Sequence, residues 1–375
     1  MFKEAPYPEA AVPLAALITD ARDEVQLEAI AAELNIFLSE PVVPRRRVAL
    51  VIEVRRAVLA ESAFSTGPLA IGALPLPLEV LTALRAGARD ENPRVAVESL
   101  YAFGVLAVEP RGRARQELLR ASGPEIAALT GASDRALRHA AVRVIGRVFA
   151  KRTADEPLEQ TVGDAVVTAL NDNERVVNGA AIEALGAMGY ERGVQALTDL
   201  FEYYGKSNAA VAALDALARI AHPASAPLFA AELASKSAAR RGSALEGLAR
   251  VGDVSRLPDI QTAISVERDD GVALAGAFAS TLLDGAPLDR LVEALTKPKL
   301  RDQAKQYLIE LAPGRVAVFS KHLQDPDARI RLDVVDAIGL AGDPAGLRFI
   351  EPLLQDREPQ VARAAERAVA RLRRN

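Results

Sequence analysis

Hydrophobic and polar positions along the chain repeat with a period of about 31 residues. The segments "DPDARIRLDVVDAIGLAGDP" (325–344) and "DNERVVNGAAIEALGAMGYE" (172–191) both place an acid five residues before a β-branched residue, Ile330 or Val177, which we call the anchor. Small or apolar residues follow the anchor at positions 4, 7 and 8, and glycine follows at positions 9 and 12. Positions 0, 4, 7, 8 and 11 share one helical face, so each copy predicts one amphipathic α-helix.

The same template fits along most of the chain. From Val177 onward its anchors follow one another at a nearly constant spacing, whereas the steps from Val95 to Leu137 and from Leu137 to Val177 are longer. A second apolar segment, such as "GVQALTDLFEYY", precedes each anchor and predicts a partner helix, so the repeating unit is a helical hairpin. Ten copies predict an all-α fold, an α-solenoid. The ten anchors are Val25, Val95, Leu137, Val177, Ala209, Arg240, Val272, Leu300, Ile330 and Val361.

Polar and small residues at fixed positions predict how each hairpin is built. Asp-Pro-Asp at 325–327 predicts a tight turn followed by an N-cap, and glycine at template position 12 predicts the end of the second helix. Alanine and glycine at positions 3, 4, 7 and 9 would let neighbouring hairpins approach closely. Packing therefore accounts for most of the repeated residues.

Composition supports a helical protein and excludes several kinds of chemistry. Half of the 375 residues are hydrophobic, only 4% are aromatic and tryptophan is absent, which suits closely packed helices. The absence of cysteine excludes disulfides, thiolate catalysis and cysteine-ligated metals. The N-terminus lacks the features of a signal peptide, and prolines interrupt the longest uncharged stretch, 62–78. We therefore expect a cytoplasmic protein without a membrane span.

The template, with an acid, a Val or Ile anchor, a frequent Arg and then Ala-x-x-Ala-Leu-Gly, resembles the HEAT repeat. It is most similar to the short bacterial kind called the phycocyanobilin-lyase HEAT-like repeat. The resemblance covers residues 84–372 well and residues 14–40 loosely. It implies that the second helix of each hairpin lines the concave face, and it is compatible with scaffolds, chaperone-like partners of enzymes and a few enzymes.

Residues 1–83 and 84–375 are predicted to be organised differently, the second range being the HEAT-like solenoid. Residues 41–83 depart from the template: "PVVPRRRVALVIEVRRAVLAE" predicts a helix, and "SAFSTGPLAIGALPLPLEV" predicts an apolar, proline-rich connector. Because an apolar connector in water is costly, it either packs over the first repeats as part of a cap or awaits a partner.

The two long steps predict loops on one edge of the solenoid, at Val108–Gln116 and Ala150–Gln160. Such an edge is a common binding site, although charged side chains on an ordinary solvated loop would look the same. The candidate residues on this edge are Arg111, Arg113, Arg115, Lys151 and Arg152.

Charge is distributed in two blocks of opposite sign. Residues 85–152 contain 13 basic and 7 acidic side chains, whereas residues 153–235 contain 4 basic and 12 acidic ones. Such blocks could steer a charged protein partner or a second copy of the chain, and the net charge of −4 disfavours a dedicated nucleic-acid binder.

Position 6 after the anchor is predicted to point away from the packed face. Glu183, Asp215 and Glu246 occupy it in consecutive copies and would form an acidic ladder with a spacing of about 10 Å, suited to a basic peptide. Alternatively, nearby arginines at position 1 or 2 after the anchor neutralise these acids. Separately, Phe201 and Tyr204 are expected to share a buried stripe, which leaves Tyr203 exposed as a candidate anchor for a partner.

Residues typical of catalysis, metal binding or phosphate binding do not form recognisable motifs. The sequence contains no Gly-rich phosphate loop, G-x-S-x-G elbow or HExxH, and its three histidines are isolated. We therefore predict a non-catalytic protein-binding scaffold without a cofactor or metal. The alternatives are a lyase-like or chaperone-like subunit, and nucleic-acid binding through residues 85–152.

Overall fold

The computed structural model describes residues 7–38, 60–66, 74, 76–108, 110, 112–150 and 160–373. The chain divides into two compact units, Met1–Met188 and Gly189–Asn375. All regular elements in the described residues are α-helices and short 3-10 helices. Most of the helix predicted at 41–61 lies outside the described residues.

The first unit begins with short 3-10 turns around its first helix and continues with longer helices. Its 3-10 helices are Pro8–Ala10 and Ala16–Thr19. Its α-helices are α1 (Ala11–Ala15), α2 (Asp23–Phe37), α3 (Ala60–Thr66), α4 (Leu78–Gly87), α5 (Pro93–Leu106), α6 (Gly112–Leu129), α7 (Arg135–Val148), α8 (Gln160–Ala169) and α9 (Arg175–Met188).

In the second unit, the first helix of several hairpins is wholly or partly a 3-10 helix. The 3-10 helices are Glu191–Gly193, Pro223–Ser225, Val254–Arg256, Val316–Gln324, Pro344–Gly346 and Glu351–Gln355. The α-helices are α10 (Val194–Tyr204), α11 (Asn208–Ile220), α12 (Ala226–Glu232), α13 (Ala238–Val251), α14 (Leu257–Val266), α15 (Asp270–Asp284), α16 (Asp289–Ala294), α17 (Arg301–Leu311), α18 (Ala328–Ala341), α19 (Leu347–Ile350) and α20 (Pro359–Leu372).

Successive hairpins stack on one another within each unit. In the first unit α5 packs on α7 and α7 on α9, and in the second unit α11 packs on α13, α13 on α15 and α18 on α20. These are the second helices of the predicted hairpins. The predicted all-α solenoid class is therefore confirmed.

The polar residues of the template end and cap the helices as predicted. Asp325 accepts a hydrogen bond from the backbone N–H of Asp327, and Asp327 caps α18 by accepting from the N–H of Arg329, each at 2.8 Å. The glycine at template position 12 adopts the left-handed conformation that ends the helix, with φ of 74° at Gly342 and 77° at Gly252.

Glycine at template position 9 lets neighbouring second helices approach closely. A Cβ added at Gly339 on α18 would lie 2.7 Å from the Cβ of Ala368 on α20. A Cβ added at Gly146 on α7 would lie 3.0 Å from the Cα of Ala184 on α9. This glycine therefore sets the spacing of the stack.

A polar link between consecutive repeats explains the repeated acid and the frequent arginine. A residue one position after the anchor donates hydrogen bonds to the acid five positions before the next anchor. Arg138, Arg241 and Arg331 each donate through two nitrogens to both carboxylate oxygens of their partner. The links are Gln26–Asp90, Arg138–Asp172, Arg241–Glu267 and Arg331–Asp356.

The link from Gln26 to Asp90, at 2.8 Å, joins the repeat of α2 directly to the repeat of α5. Asn92 also donates to Asp23, and α2 contacts α5. Residues 38–77 are therefore an insertion between two stacked hairpins, whereas successive hairpins of the second unit are joined by two to four residues. The predicted boundary at residue 84 falls inside the first unit, and the division into residues 1–83 and 84–375 stays a prediction.

Candidate protein-binding surfaces

Helix α3, from within the insertion, lies on one face of α5 and α7. Leu100 and Phe103 of α5 line a small cavity with residues of α4 and α6, so those helices cover one side of α5. Glu98 and Tyr101 lie on the opposite side of α5 by helical periodicity. We call this side of α5 and α7, with Glu98, Tyr101, Arg143 and Arg147, the inner face.

Hydrogen bonds hold α3 on the inner face. Arg143 donates to the Glu61 carboxylate at 2.9 Å and to the Tyr101 hydroxyl at 3.1 Å. Glu98 accepts from the backbone N–H of Ala60 at 2.7 Å, and Arg147 donates to the backbone carbonyl of Phe64. Because 55% of the Glu61 side chain is exposed, its ion pair with Arg143 contributes under about 1 kcal/mol.

The ring of Phe64 is the apolar anchor of α3. It is 3% exposed and lies 5.2 Å from the Tyr101 ring, centroid to centroid. The Arg147 guanidinium carbon lies 3.5 Å from the centre of the Phe64 ring, a cation–π contact. A Cβ added at Gly104 would lie 2.8 Å from this ring and 2.7 Å from Val144. Gly104 therefore makes room for both the aromatic ring and the neighbouring helix.

Burial shifts the titration of several inner-face groups. Burial raises the pKa of Glu98 and of Tyr101, although the N–H of Ala60 opposes the shift at Glu98 and Arg143 opposes it at Tyr101. Burial, and then the nearby Arg143, lowers the pKa of Arg147 to about 10. Arg147 therefore keeps its positive charge at neutral pH.

In the second unit, a polar and aromatic network joins α13, α15 and α17. Arg250 donates to Glu310 at 2.8 and 3.0 Å and to Glu246 at 2.9 Å. Tyr307 donates to Glu246 and stacks on Phe278, with ring centroids 4.4 Å apart. Burial alone would lower the pKa of Arg250, but the Glu310 and Glu246 carboxylates raise it.

A family model described as HEAT repeats matches residues 124–204. This range covers parts of several predicted copies of the template. Residues 124–204 of the chain are therefore HEAT repeats. The HEAT-like repeats predicted from the sequence are thereby confirmed.

Three solved structures are similar to this chain. An engineered protein is 18% identical, with a TM-score of 0.46 over 97% of this chain and 98% of its own. One chain of the complex of CpcE and CpcF of phycocyanin lyase from Nostoc sp. PCC7120 is 21% identical to this chain. Its TM-score is 0.46, over 66% of this chain and 94% of that chain. Kap95p, in a structure with RanGDP, is 13% identical, with a TM-score of 0.42 over 99% of this chain and 52% of that one. No curated protein matches the chain in sequence.

The three acids of the predicted ladder have different surroundings on their HEAT repeats. Glu183 is exposed on α9. Asp215 on α11 is partly exposed and pairs with Arg219 at 3.0 Å. Glu246 on α13 is 14% exposed and belongs to the Arg250 and Tyr307 network. Asp215 and Glu246 are thus paired with arginines four residues later, at position 10 after the anchor rather than at the predicted positions 1 or 2. The role of the ladder in binding stays a prediction.

Position 6 after the anchor does not always point away from the packed face. Tyr101 is 2% exposed because α3 covers it, and Phe278 is fully buried beside Tyr307. Asp336 is 7% exposed, and burial raises its pKa. The general prediction for this position is therefore wrong, although Glu183 and Gln306 follow it.

The predicted charged edge is only partly a loop. Arg113 and Arg115 lie in α6, so the loop prediction for Val108–Gln116 is wrong from residue 112 onward. Arg113 is exposed and pairs with Glu117 at 2.8 Å, whereas Arg115 is 4% exposed and donates to the carbonyl of Ala150 at 3.1 Å. Arg115 is therefore placed inside the fold rather than on an edge. Arg111, Lys151 and Arg152 lie outside the described residues.

The aromatic cluster at the end of α10 differs partly from the prediction. Tyr203 is 83% exposed and Phe201 is 7% exposed, as expected. The predicted burial of Tyr204 is wrong: it is 46% exposed, because it is the last residue of α10, before Gly205, and its ring packs edge-on against Tyr203 at 5.0 Å. Two adjacent exposed tyrosines thus lie at the end of α10, and the role of Tyr203 as an anchor for a partner stays a prediction.

Several arginines of the basic block are already paired with acids or carbonyls. Arg85 and Arg89 contact Glu125, at 3.2 and 3.4 Å. Arg138 is held by Asp172, and Arg143 by Glu61. These pairs reduce the positive potential that a nucleic acid would meet.

Sequence reasoning did not predict that residues 60–66 form α3, nor that Arg143 and Arg147 hold this helix on the inner face. The segment "SAFST" falls within the predicted connector, but it is helical. It packs on α5, in line with the alternative in which the connector packs over the first repeats. Its signal was Glu61 followed three residues later by Phe64, one acid and one aromatic on the same helical side. No helix of the described residues has the length and apolar character needed to cross a membrane, and no three metal-binding side chains of those residues cluster.

Proposed function

We propose that the chain is a non-catalytic scaffold that binds a partner protein through the second helices of its HEAT repeats. One observation carries the proposal: the inner face of α5 and α7 already holds a separate helical segment, α3. The inner face offers charged side chains, the Tyr101 ring and the space beside Gly104, and such a surface is suited to binding a helix. The exposed tyrosines on α10 offer a second contact.

The absence of a recognised catalytic constellation motivates the non-catalytic part of this proposal. The HEAT fold by itself is compatible with a lyase-like or chaperone-like subunit, so a coloured small molecule that copurifies with the protein would overturn the scaffold proposal. We place this scaffold in the cytoplasm, in line with its lack of cysteine.

Affinity capture from a cell lysate tests the function. The tagged chain is expected to retain one or two proteins in stoichiometric amounts at low salt. A variant with Glu183→Lys and Asp215→Lys should lose them, because both acids lie on second helices and both are at least partly exposed. Glu246 is left unchanged because Arg250 and Tyr307 depend on it.

Glu79→Lys combined with Glu293→Lys is the matched control, since both acids are exposed on first helices, α4 and α16, away from the tyrosines of α10. It makes the same charge change and should retain the captured proteins. Equal losses in both variants would contradict binding through the second helices. Nucleic acid in place of protein, released steeply by salt, would favour the basic block instead.

A further inference from the structure

The inner-face arginines of the first unit find their acceptors on α3, unlike the corresponding network of the second unit. Arg250 is satisfied by Glu246 and Glu310, which belong to the stacked second helices themselves. Arg143 instead pairs with Glu61 of α3, and Arg147 donates to the Phe64 carbonyl of α3. The acceptors in the first unit are thus supplied by an inserted segment.

The insertion is not required to connect its neighbouring repeats. The repeats of α2 and α5 contact each other directly through Gln26 and Asp90. Two to four residues join successive hairpins in the second unit. The extra length at 38–77 instead brings α3 to the inner face.

The contacts of α3 define the chemistry of a ligand. Glu61 meets a guanidinium and a phenol, and Phe64 enters the space beside Gly104, between Tyr101 and Arg147. Residues three apart on a helix share a side. A short helix with an acid and, three residues later, an aromatic ring would make the same contacts.

A seven-residue helix is too short to be stable without packing. α3 is held mainly by Ala60, Ala63 and Phe64, which are at most 3% exposed, and by an ion pair whose acid is half exposed. The remaining hold comes from the hydrogen bonds with Glu98 and Arg147 and from the covalent attachment of α3, which gives it a high effective concentration.

We propose that the inner face of α5 and α7 is a binding site for a partner protein's short helix that carries an acid and an aromatic ring three residues later, and that α3 occupies this site until the partner displaces it. The proposal rests on the scaffold function and names the partner's chemistry. The exposed Ser62 side chain of α3 takes no part in these contacts.

A labelled peptide with the sequence of residues 57–68, "AVLAESAFSTGP", tests the site by fluorescence anisotropy with the full chain. The variant Glu61→Ala with Phe64→Ala should bind it about tenfold or more tightly than the unsubstituted chain, because the tethered competitor is weakened. Ser62→Ala is the matched control in α3 and should bind like the unsubstituted chain. Adding Arg143→Ala to the double variant should remove the gain.

Hydrogen exchange of the unsubstituted chain gives a readout that does not depend on any variant folding. Saturating peptide should speed the exchange of residues 60–66, since the peptide displaces α3, while a peptide with both Glu61→Ala and Phe64→Ala should leave it unchanged. Equal peptide affinity of the unsubstituted chain and the double variant, or no binding to either, would overturn the proposal. If the peptide results overturn this site but the variant with Glu183→Lys and Asp215→Lys still loses its captured proteins, the scaffold function stands. Only the site on the inner face is then rejected.

Discussion

At the scale of single residues, the repeated charged side chains of this protein link one repeat to the next. Arg331 shows this best, because it donates to both oxygens of Asp356 and to the backbone carbonyl of Asp325, and its side chain is 6% exposed. The hydrogen bonds from Arg331 hold the pKa of Asp356 below its usual range. The arginine and the acid of the template are thus one interaction that spans two repeats.

Arg331→Ala is expected to lower the free energy of unfolding by about 3 kcal/mol, because it leaves the poorly exposed Asp356 carboxylate without its opposite charge and the Asp325 carbonyl without its donor. Urea denaturation measures the change. Arg329→Ala is the control: this side chain is 79% exposed, and its loss should cost under about 0.5 kcal/mol. Arg331→Met combined with Asp356→Asn should recover part of the stability, since both charges are then removed and asparagine can still accept from the N–H of Glu358. Equal effects of the two alanine variants would refute the structural role of the link.

At the scale of helices, small residues decide how closely the second helices stack. The template predicts glycine at two positions, with a different role for each. Gly342 ends α18 in a left-handed conformation, whereas Gly339 lies within α18 against Ala368. One glycine acts on its own backbone and the other on the neighbouring helix.

Gly339→Ala is expected to destabilise the protein by about 1–3 kcal/mol, because the added methyl group would lie 2.7 Å from the Cβ of Ala368. Gly242→Ala, in the interior of α13, has no atom within 4 Å of the added Cβ and should instead stabilise by about 0.5–1 kcal/mol. Thermal unfolding of the two variants compares them directly. A stabilising Gly339→Ala would show that the stack can widen without cost.

At the scale of the whole molecule, stability is distributed along the stack because each hairpin contacts mainly its neighbours. Hydrogen bonds such as Arg241–Glu267 and Arg331–Asp356 join one repeat to the next. A local change should therefore have local consequences.

Hydrogen exchange of the Gly339→Ala variant tests this expectation. Protection should fall in α18, which contains residue 339, and in α20, which packs against that residue. The amides of α5 and α7, in the first unit, should keep the protection that they have in the unsubstituted chain. A uniform fall through both units would show that the chain unfolds as one cooperative body.

The sequence by itself determined the helical hairpin, its caps and its stacking, because these depend on residues at fixed spacing within one repeat. Ile330 lies in α18 and Asp327 and Gly342 cap its two ends, so all three act on one helix. The period of the template carries that information. The sequence also placed Tyr203 on the surface, since neighbouring Phe201 fills the apolar side of the same helix.

Only the tertiary structure decided which charges meet and which surface is covered. The partners of Arg143 and Tyr101 lie 82 and 40 residues away on α3, a separation that no repeat period encodes. Arg115 looked like part of a charged loop until the fold placed it against Ala150. Contacts between an insertion and a stack depend on where the chain returns in space, and this is why the inner face became visible only in the folded protein.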